Sequence, residues 1–434
     1  MKKSLPTHAT LLASHKVRRA VGMAVTGLLA FGGAGGATAA FSLTHNIDSV
    51  NTNDVLTEAD RPDDPLAGAA LNIVLMGEDS RDGDNIKFAS KKDTGGARSD
   101  TTMILHISTD RSRAELISIP RDSTVNIPAC NTTNGKTTAP WNATKFNAAF
   151  AQGYDTGGTV ADGALCAMTT IESLTGVRMD GFIVVDFQGF ANMINALGGV
   201  EICIPNEIIS PDAGNLHLQP GLQTLKGKKA LQYARARKGT GLGDGSDLGR
   251  IGRQQELMAA IAREVLSKNL LTDSPALLKF LGATTSSLTM SSNLASVTGL
   301  AGLAYSMRNV RPSTITFTTV PYTDDPNNKA NVMWTADAAQ LWDNLKWDRP
   351  LDSTDSGTAA NDGTTPADST ATSAATDAPS ADASATADAG TSADAGSGAD
   401  AGASATPTSD PSPTTTAKPG KDSFTANDVT SVCN

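Results

Sequence analysis

Apolar residues in this chain fall into short runs of two kinds. Leu71–Met76 is continuous and stops at Gly77, the pattern of a buried strand. Thr102–Ile107 and Ala114–Ile119 are rich in β-branched residues and flank the polar segment Ser108–Arg113, which predicts a β-hairpin. Phe182–Phe187, Val200–Ile204 and Ile315–Tyr322 predict further strands. Elsewhere the spacing turns helical. Val160, Leu165, Met168, Ile171 and Leu174 recur along residues 159–175, with Gly176 as the stop. Helices are also predicted from Lys145 onward, over 189–197, over 226–237, over 247–268 behind Ser246 as N-cap, and over 335–345. Residues 270–310 read as helical with Ser/Thr-rich breaks. Interleaved strands and helices predict a layered α/β or α+β domain.

The two ends of the chain differ from this middle. Lys2, Lys3, Lys16, Arg18 and Arg19 precede residues 20–44, which carry no charged side chain. That run is long enough to cross a bilayer, and the basic residues before it predict a cytoplasmic N-terminus. The expected order is a cytoplasmic arm (1–19), a transmembrane anchor (20–44), a polar stalk containing Pro62 and Pro65 (45–69), a folded domain (70–350) and a tail (351–434). The tail is rich in Ala, Ser, Thr and Asp, too poor in apolar residues to offset chain entropy, and is expected to be disordered. The competing reading of the first stretch is a cleaved signal peptide, because Ala37-Thr38-Ala39 has the small residues of a cleavage site. On either reading the domain lies outside the cytoplasm.

The four cysteines suit that compartment. Cys130 and Cys166 flank a Gly/Asn/Thr-rich loop and are the pair expected to bond. Cys203 fits a small core residue as well as a bridge partner, and Cys433 lies almost at the end. None has metal-ligand spacing. The net charge of −10 is a poor guide to the partner, because much of the acid lies in the C-terminal tail. No basic stripe, zinc spacing or helix-turn-helix pattern supports nucleic-acid binding. No GxSxG elbow is present, which argues against a Ser–His hydrolase.

Charge placement carries the chemistry. Arg98 and Asp100 precede the first hairpin strand, and Arg121 and Asp122 follow the second, so all four belong to one edge. If 71–76 pairs antiparallel with 102–107, Asp79 and Arg81 arrive at the same edge. Arg235 and Arg237 end the 226–237 helix, while Asp247, Arg250, Arg253 and Gln254 lie in the first turns of the next. Guanidinium groups bind phosphate oxygens through paired bonds and stay charged when partly buried. Carboxylates beside them suit a hard divalent cation. Together they suit a Mg²⁺–pyrophosphate site, with catalysis by positioning and charge neutralisation. For any single Arg–Asp pair, an ordinary surface salt bridge is the better reading.

Eight segments stand in order between Leu71 and Pro350: LNIVLMGEDSR, ARSDTTMILHIS, LISIPRDSTV, KFNAAFAQGY, TIESLTGVRMD, VVDFQGFANMINALGGVEICIP, GLQTLKGKKALQYARAR and GDGSDLGRIGRQQ. As an ordered set they resemble the extracytoplasmic LytR–CpsA–Psr (LCP) domain. The last segment and the tail are similar to those of actinobacterial members. The resemblance implies a single-pass membrane protein with a mixed central β-sheet flanked by helices. It implies a phosphotransferase that moves a glycopolymer from a polyprenyl-pyrophosphate carrier to the C6 hydroxyl of N-acetylmuramic acid in peptidoglycan. Arabinogalactan, teichoic-type polymers and capsule are candidate cargoes.

Carried over by position, the resemblance implies that Asp79 and Asp100 hold Mg²⁺ (or Mn²⁺). Arg81, Arg98, Arg121, Arg235, Arg237, Arg250 and Arg253 then bind pyrophosphate, with Gln254. Asp122 and Asp247 orient those arginines or assist the acceptor, and the general base is unassigned between Asp100 and Asp122. The resemblance also implies an apolar groove for the lipid, for which Phe182, Val184, Phe187, Phe190 and Ile194 are candidates against their ordinary reading as core. The same site would serve a polyprenyl-pyrophosphate hydrolase, or a non-catalytic lipid-phosphate-binding or regulatory envelope protein.

Overall fold

The computed structural model describes residues 48–66, 69–78, 97–243, 245–268, 270, 280, 282, 287–353 and 418–428. The strand β1 (Asp48–Val50) is followed by β2 (Leu71–Glu78), then by β3 (Ser99–Ile107) and β4 (Ala114–Ile119), the predicted hairpin. A second hairpin pairs β5 (Thr124–Ile127) with β6 (Trp141–Lys145) and is irregular near Val125. Helices α1 (Ala148–Gly157) and α2 (Val160–Thr175) precede β7 (Gly181–Asp186), α3 (Phe187–Ala196) and β8 (Val200–Ile204). Short strands β9 (Ile208–Ser210), β10 (Leu216–Leu218) and β11 (Gly221–Leu225) lead into α4 (Gly227–Arg235) and α5 (Asp247–Ser267). Then come β12 (Leu288–Ser291), α6 (Val297–Ser306), β13 (Ile315–Thr319), β14 (Tyr322–Asp324), β15 (Val332–Trp334), α7 (Asp337–Lys346) and β16 (Phe424–Thr425).

The central sheet is mixed and eight-stranded, in the order β1-β12-β7-β2-β3-β4-β13-β16. β2 runs antiparallel to β3, in register from Leu71↔Ile107 to Gly77↔Thr101, with a shift before Glu78↔Ser99. The same strand runs parallel to β7. The strand period of two sorts β2 into two layers. Val74 and Met76 pack with Ile104, Ile117 and Phe182 against α1, α2 and α7, through Phe150, Leu165, Met168, Leu341 and Trp342. Leu75, Met103, Leu105 and Phe317 face the other way, towards Met258, Ala259 and Leu266 of α5. A separate cluster joins α3, α4 and α5 to β8–β11. All described residues belong to one compact unit made of 1–359 and 416–434.

Helix ends follow their sequence signals. Thr159 caps α2 in a capping box with Asp162, and Gly176 closes it in the left-handed conformation. Ser246 caps α5 by accepting from Gly249 N–H. Gly227 is glycine because a Cβ there would strike the Ala191 carbonyl, so α4 can lie close on α3. Cys130 and Cys166 are disulfide-bonded, as expected, and tie the loop before α1 to α2. Cys203 is disulfide-bonded too.

Three expectations change. The stretch 45–69 is not simply a free stalk: β1 pairs parallel with β12, and Thr52 and Leu56 are buried. Residues 270–310 include a sheet strand, β12, alongside the helix α6. The tail is not structureless to its end, because β16 pairs antiparallel with β13 (Phe317↔Phe424) and Phe424 stacks on Phe317. Such short pairings bury side chains through long-range contacts that leave little periodic trace in sequence. Among the described residues no helix is long and apolar enough to cross a membrane, and the 1–19 arm and 20–44 run lie outside them.

Candidate active site

Of the charges predicted to gather at the hairpin edge, Asp100, Arg121 and Asp122 meet there. Because β3 and β4 pair with Thr102 opposite Ile119, the strand starts and ends that flank this pair share one end of the sheet. Arg121 Nη1 donates to Asp100 Oδ1 at 2.6 Å. Its Nε lies 3.2 Å from Asp247 Oδ1 and 3.5 Å from Asp122 Oδ2. Arg250 reaches the same cluster from α5. It lies 2.5 Å from Asp247 Oδ1 and 3.6 Å from Asp100 Oδ2, and its Nη2 donates to the Asp100 carbonyl at 2.9 Å. One turn of helix thus places Asp247 and Arg250 beside each other and beside the hairpin edge.

Burial decides the ionisation of these groups. It opposes charge on Asp100, but Arg250, Arg121 and Arg237 outweigh it and hold the carboxyl below its ordinary range. The Asp100 side chain keeps 36% of its surface exposed. Asp247 is more enclosed, and there burial wins over Arg250 and Arg121, so its carboxyl rises. Burial also lowers Arg250, whereas at Arg121 the three carboxylates overcome burial and raise it.

Asp100, Arg121 and Arg250 of this cluster line a cavity of about 650 Å³. Its polar wall has Asp100, Arg121, Arg235, Arg237 and Arg250. Its apolar wall has Leu75, Met103, Phe190, Met193, Leu231 and Leu257. Such a volume is that of an ordinary small-ligand site. Where the two walls meet, the Arg235 guanidinium lies over the Phe187 ring, 4.2 Å from its centroid. Arg237 Nε is buried and has no hydrogen-bond partner among the described residues.

Two residues on α5 fix the end of α4, whose last carbonyls are the ones a helix leaves unpaired. Gln254 Nε2 donates to the Ala234 carbonyl at 3.3 Å, and Arg253 Nη2 donates to that of Ala236. Gln254 also lines the cavity. Arg253 is not among the lining residues; through the Ala236 carbonyl it anchors the segment that carries Arg235 and Arg237. Arg98 is exposed and likewise outside the cavity wall, because Ser99 and not Arg98 turns inward at the start of β3. Asp122 meets Arg121 and Lys145, the latter at 2.6 Å, and is not part of the wall. Asp79 and Arg81 lie outside the described residues. Glu78, immediately before them, pairs with Ser99 at the expected edge. Of the apolar candidates, Phe187 and Phe190 line the cavity, whereas Phe182, Val184 and Ile194 are core.

Sequence reasoning missed Lys145, although it opens the quoted KFNAAF segment. It also missed Asp186, which caps α3 and lines the cavity, and Lys238, just past the arginines. As a cation site, Asp100 offers an ionised oxygen donor in the cavity lining. Among the described residues no group of three or more acidic, His or Cys side chains is placed to enclose a metal. A cation held mostly by ligand phosphate and one or two carboxylates needs no such group.

The LytR_cpsA_psr family model matches residues 38–347. The probable cell wall biosynthesis protein LcpB of Corynebacterium glutamicum is 38% identical over 197 residues, which are 44% of this chain and 41% of that protein. Cell wall biosynthesis protein LcpA of the same species is 29% identical over 60% of this chain and 52% of its own length. The polyisoprenyl-teichoic acid–peptidoglycan teichoic acid transferase TagU of Oceanobacillus iheyensis is 32% identical over 49% of this chain and 57% of its own. The chain therefore spans about half the length of these relatives. Protein gbs0355 of Streptococcus agalactiae shares the fold, with a TM-score of 0.50 and 22% identity, over 65% of this chain and 89% of that one.

Proposed function

This chain belongs to the LytR–CpsA–Psr family, and from that premise we propose that it transfers a glycopolymer from a polyprenyl-pyrophosphate carrier to peptidoglycan. The observation that carries the proposal is the join of two unlike walls in one cavity. The apolar lining of Leu75, Phe190 and Leu257 suits a prenyl chain, and the arginines in the same cavity suit the diphosphate of the same molecule. The names of the relatives, cell wall biosynthesis proteins and a teichoic acid transferase, point to the same chemistry.

In this reading the prenyl chain occupies the apolar wall, and Arg121, Arg235, Arg237 and Arg250 receive the diphosphate. The acceptor sugar hydroxyl attacks the glycan-side phosphorus, and polyprenyl phosphate leaves, taking up the hydroxyl proton. Bond making and breaking at phosphorus needs little covalent help from the protein, so fixed cations account for most of the catalysis. Asp247 keeps Arg121 and Arg250 aimed at the cavity. Asp100 would hold Mg²⁺ or Mn²⁺, with Asp79, and the cation would supply further neutralisation of the leaving phosphate. Asp100 stays ionised among arginines and is thereby a weak proton acceptor. It suits charge positioning better than proton abstraction. The charge-free run 20–44 would anchor the domain on the outer side of the cytoplasmic membrane.

The test is incubation of the protein with labelled lipid-linked glycan and peptidoglycan, with Mg²⁺ and with chelator. Label attached to peptidoglycan is expected, and Asp100→Ala or Arg121→Ala abolishes it without unfolding the chain. Phosphate release with no attached glycan would instead identify a hydrolase. Full activity in both variants would remove these residues from the mechanism.

A further inference from the structure

The chain between residues 354 and 417 has no aromatic, Leu, Ile, Val or Met side chain. Beyond it, residues 418–428 return to the domain and are held by contacts of several kinds. Phe424 is 3% exposed and stacks on Phe317, with centroids 5.3 Å apart. Ala426 N–H donates to the Ile315 carbonyl at 2.9 Å, and Arg263 Nη1 donates to the Ala426 carbonyl at 2.7 Å. The hydroxyls of Ser423 and Thr318 are 2.8 Å apart. Pro419 and Gly420 lie directly on α5 at Gly252, where any Cβ would collide with the Pro419 carbonyl.

One contact reaches into the helix that carries the site. Gln255 is completely buried. Its Nε2 donates to Ser118 Oγ, the Thr318 carbonyl and Thr319 Oγ1 at 2.9–3.0 Å, which fixes the amide orientation. Its Oε1 accepts from Gly420 N–H at 2.7 Å. Without residues 418–428, this buried oxygen loses that donor and the Gly252 face of α5 is uncovered. Gln255 adjoins Gln254 and stands little more than one turn beyond Arg250.

We infer that the β13 edge and the Gly252 face of α5 form a binding site for a short peptide with turns on both sides of a two-residue strand, that its occupant is the chain's own segment 418–428, and that occupancy holds the Arg250–Gln255 turns of α5 in place. Recognition joins a two-residue added strand, Phe424–Thr425, to the Pro419–Gly420 turn on α5. Backbone pairing supplies affinity, and the Phe424 pocket and the glycine-only approach at Gly252 supply selectivity. The long connection makes docking intramolecular, which gives a weak site high occupancy. The peptide site lies apart from the cavity, but the turns it holds carry Arg250 and Gln254 of the cavity lining.

Hydrogen exchange on the full chain tests this. Phe424→Ser removes the anchor, and Gly252→Ala introduces a residue that helices ordinarily prefer to glycine but that blocks Pro419. In both variants exchange at Phe424–Ala426 is expected to rise at least tenfold, and exchange at Arg250–Gln255 to rise with it. A synthetic peptide of residues 418–428 is expected to bind the Phe424→Ser chain saturably and restore protection of α5. The inference fails if the segment is released while α5 exchange stays unchanged. It fails equally if the peptide does not bind, or if Gly252→Ala leaves the segment protected. None of these readouts depends on transfer activity, so this result and that of the transfer assay stand separately.

Discussion

Arg235 lies over Phe187, with its guanidinium carbon 4.2 Å from the ring centroid. The pair marks the boundary between the polar and apolar walls of the cavity. Lysine cannot reproduce a planar cation stacked on a ring and paired with phosphate. Arg235→Lys is expected to weaken polyprenyl-pyrophosphate binding about tenfold, equivalent to about 1.4 kcal/mol. Titration by calorimetry would check this, and unchanged affinity would mean that Arg235 contributes charge alone.

Ala234 is a small residue on the cavity wall. Ala234→Trp should fill apolar volume while leaving the arginines in place. Binding of a long prenyl pyrophosphate is expected to fall at least tenfold, with inorganic pyrophosphate affected less than twofold. Equal losses for both ligands would show that the prenyl chain lies elsewhere.

Asp247 is shared by Arg121 and Arg250, and the Arg250 side chain is only 4% exposed. Removing the shared carboxylate leaves a buried cation poorly compensated, a change that costs about 3 kcal/mol. Asp247→Ala should therefore lower unfolding free energy in urea by about that amount, as well as reducing transfer. Loss of activity with full stability would assign Asp247 a role in the reaction alone.

Asp348 ties the end of the domain to the far end of the hairpin. Its carboxylate accepts from Thr109 N–H at 2.8 Å and Arg113 Nη2 at 2.7 Å, and lies 3.0 Å from His106 Nε2. Burial opposes its ionisation, but the His106, Thr109 and Arg113 contacts prevail and lower its pKa from 3.8 to about 2. A depressed carboxyl pKa adds stability that is present above 3.8 and is lost as pH falls towards 2. After allowance for solvent screening the contribution is about 1 kcal/mol. Asp348→Asn tolerates the positive φ at this position and should abolish that part of the acid slope in urea melts between pH 4 and 2. An unchanged slope would assign it to other carboxylates.

Much of the architecture was legible along the chain. The apolar runs of β2, β3 and β4 and the helical spacing of α2 and α5 were placed correctly, because each has a local period that burial imposes. The hairpin also predicted that Asp100 and Arg121 would meet, since antiparallel pairing allows few alternatives. The join of an apolar wall to that cluster was not legible. It needs α3, α4 and α5 to close over the sheet, and apolar residues such as Phe182 and Phe187 look alike until one proves core and the other cavity wall.

What the sequence determined by itself is the order of elements and the charges at their ends, both consequences of local chain geometry. Tertiary structure decided which of those charges share a site. Along α5, neighbouring residues differ by about 100° in direction, so Gln254 reaches the cavity wall while Arg253 turns to the Ala236 carbonyl. Tertiary structure also decided that residues 48–50 and 424–425 are sheet strands. Segments so short have no period to read, and only the partner strand beside them makes burying them favourable.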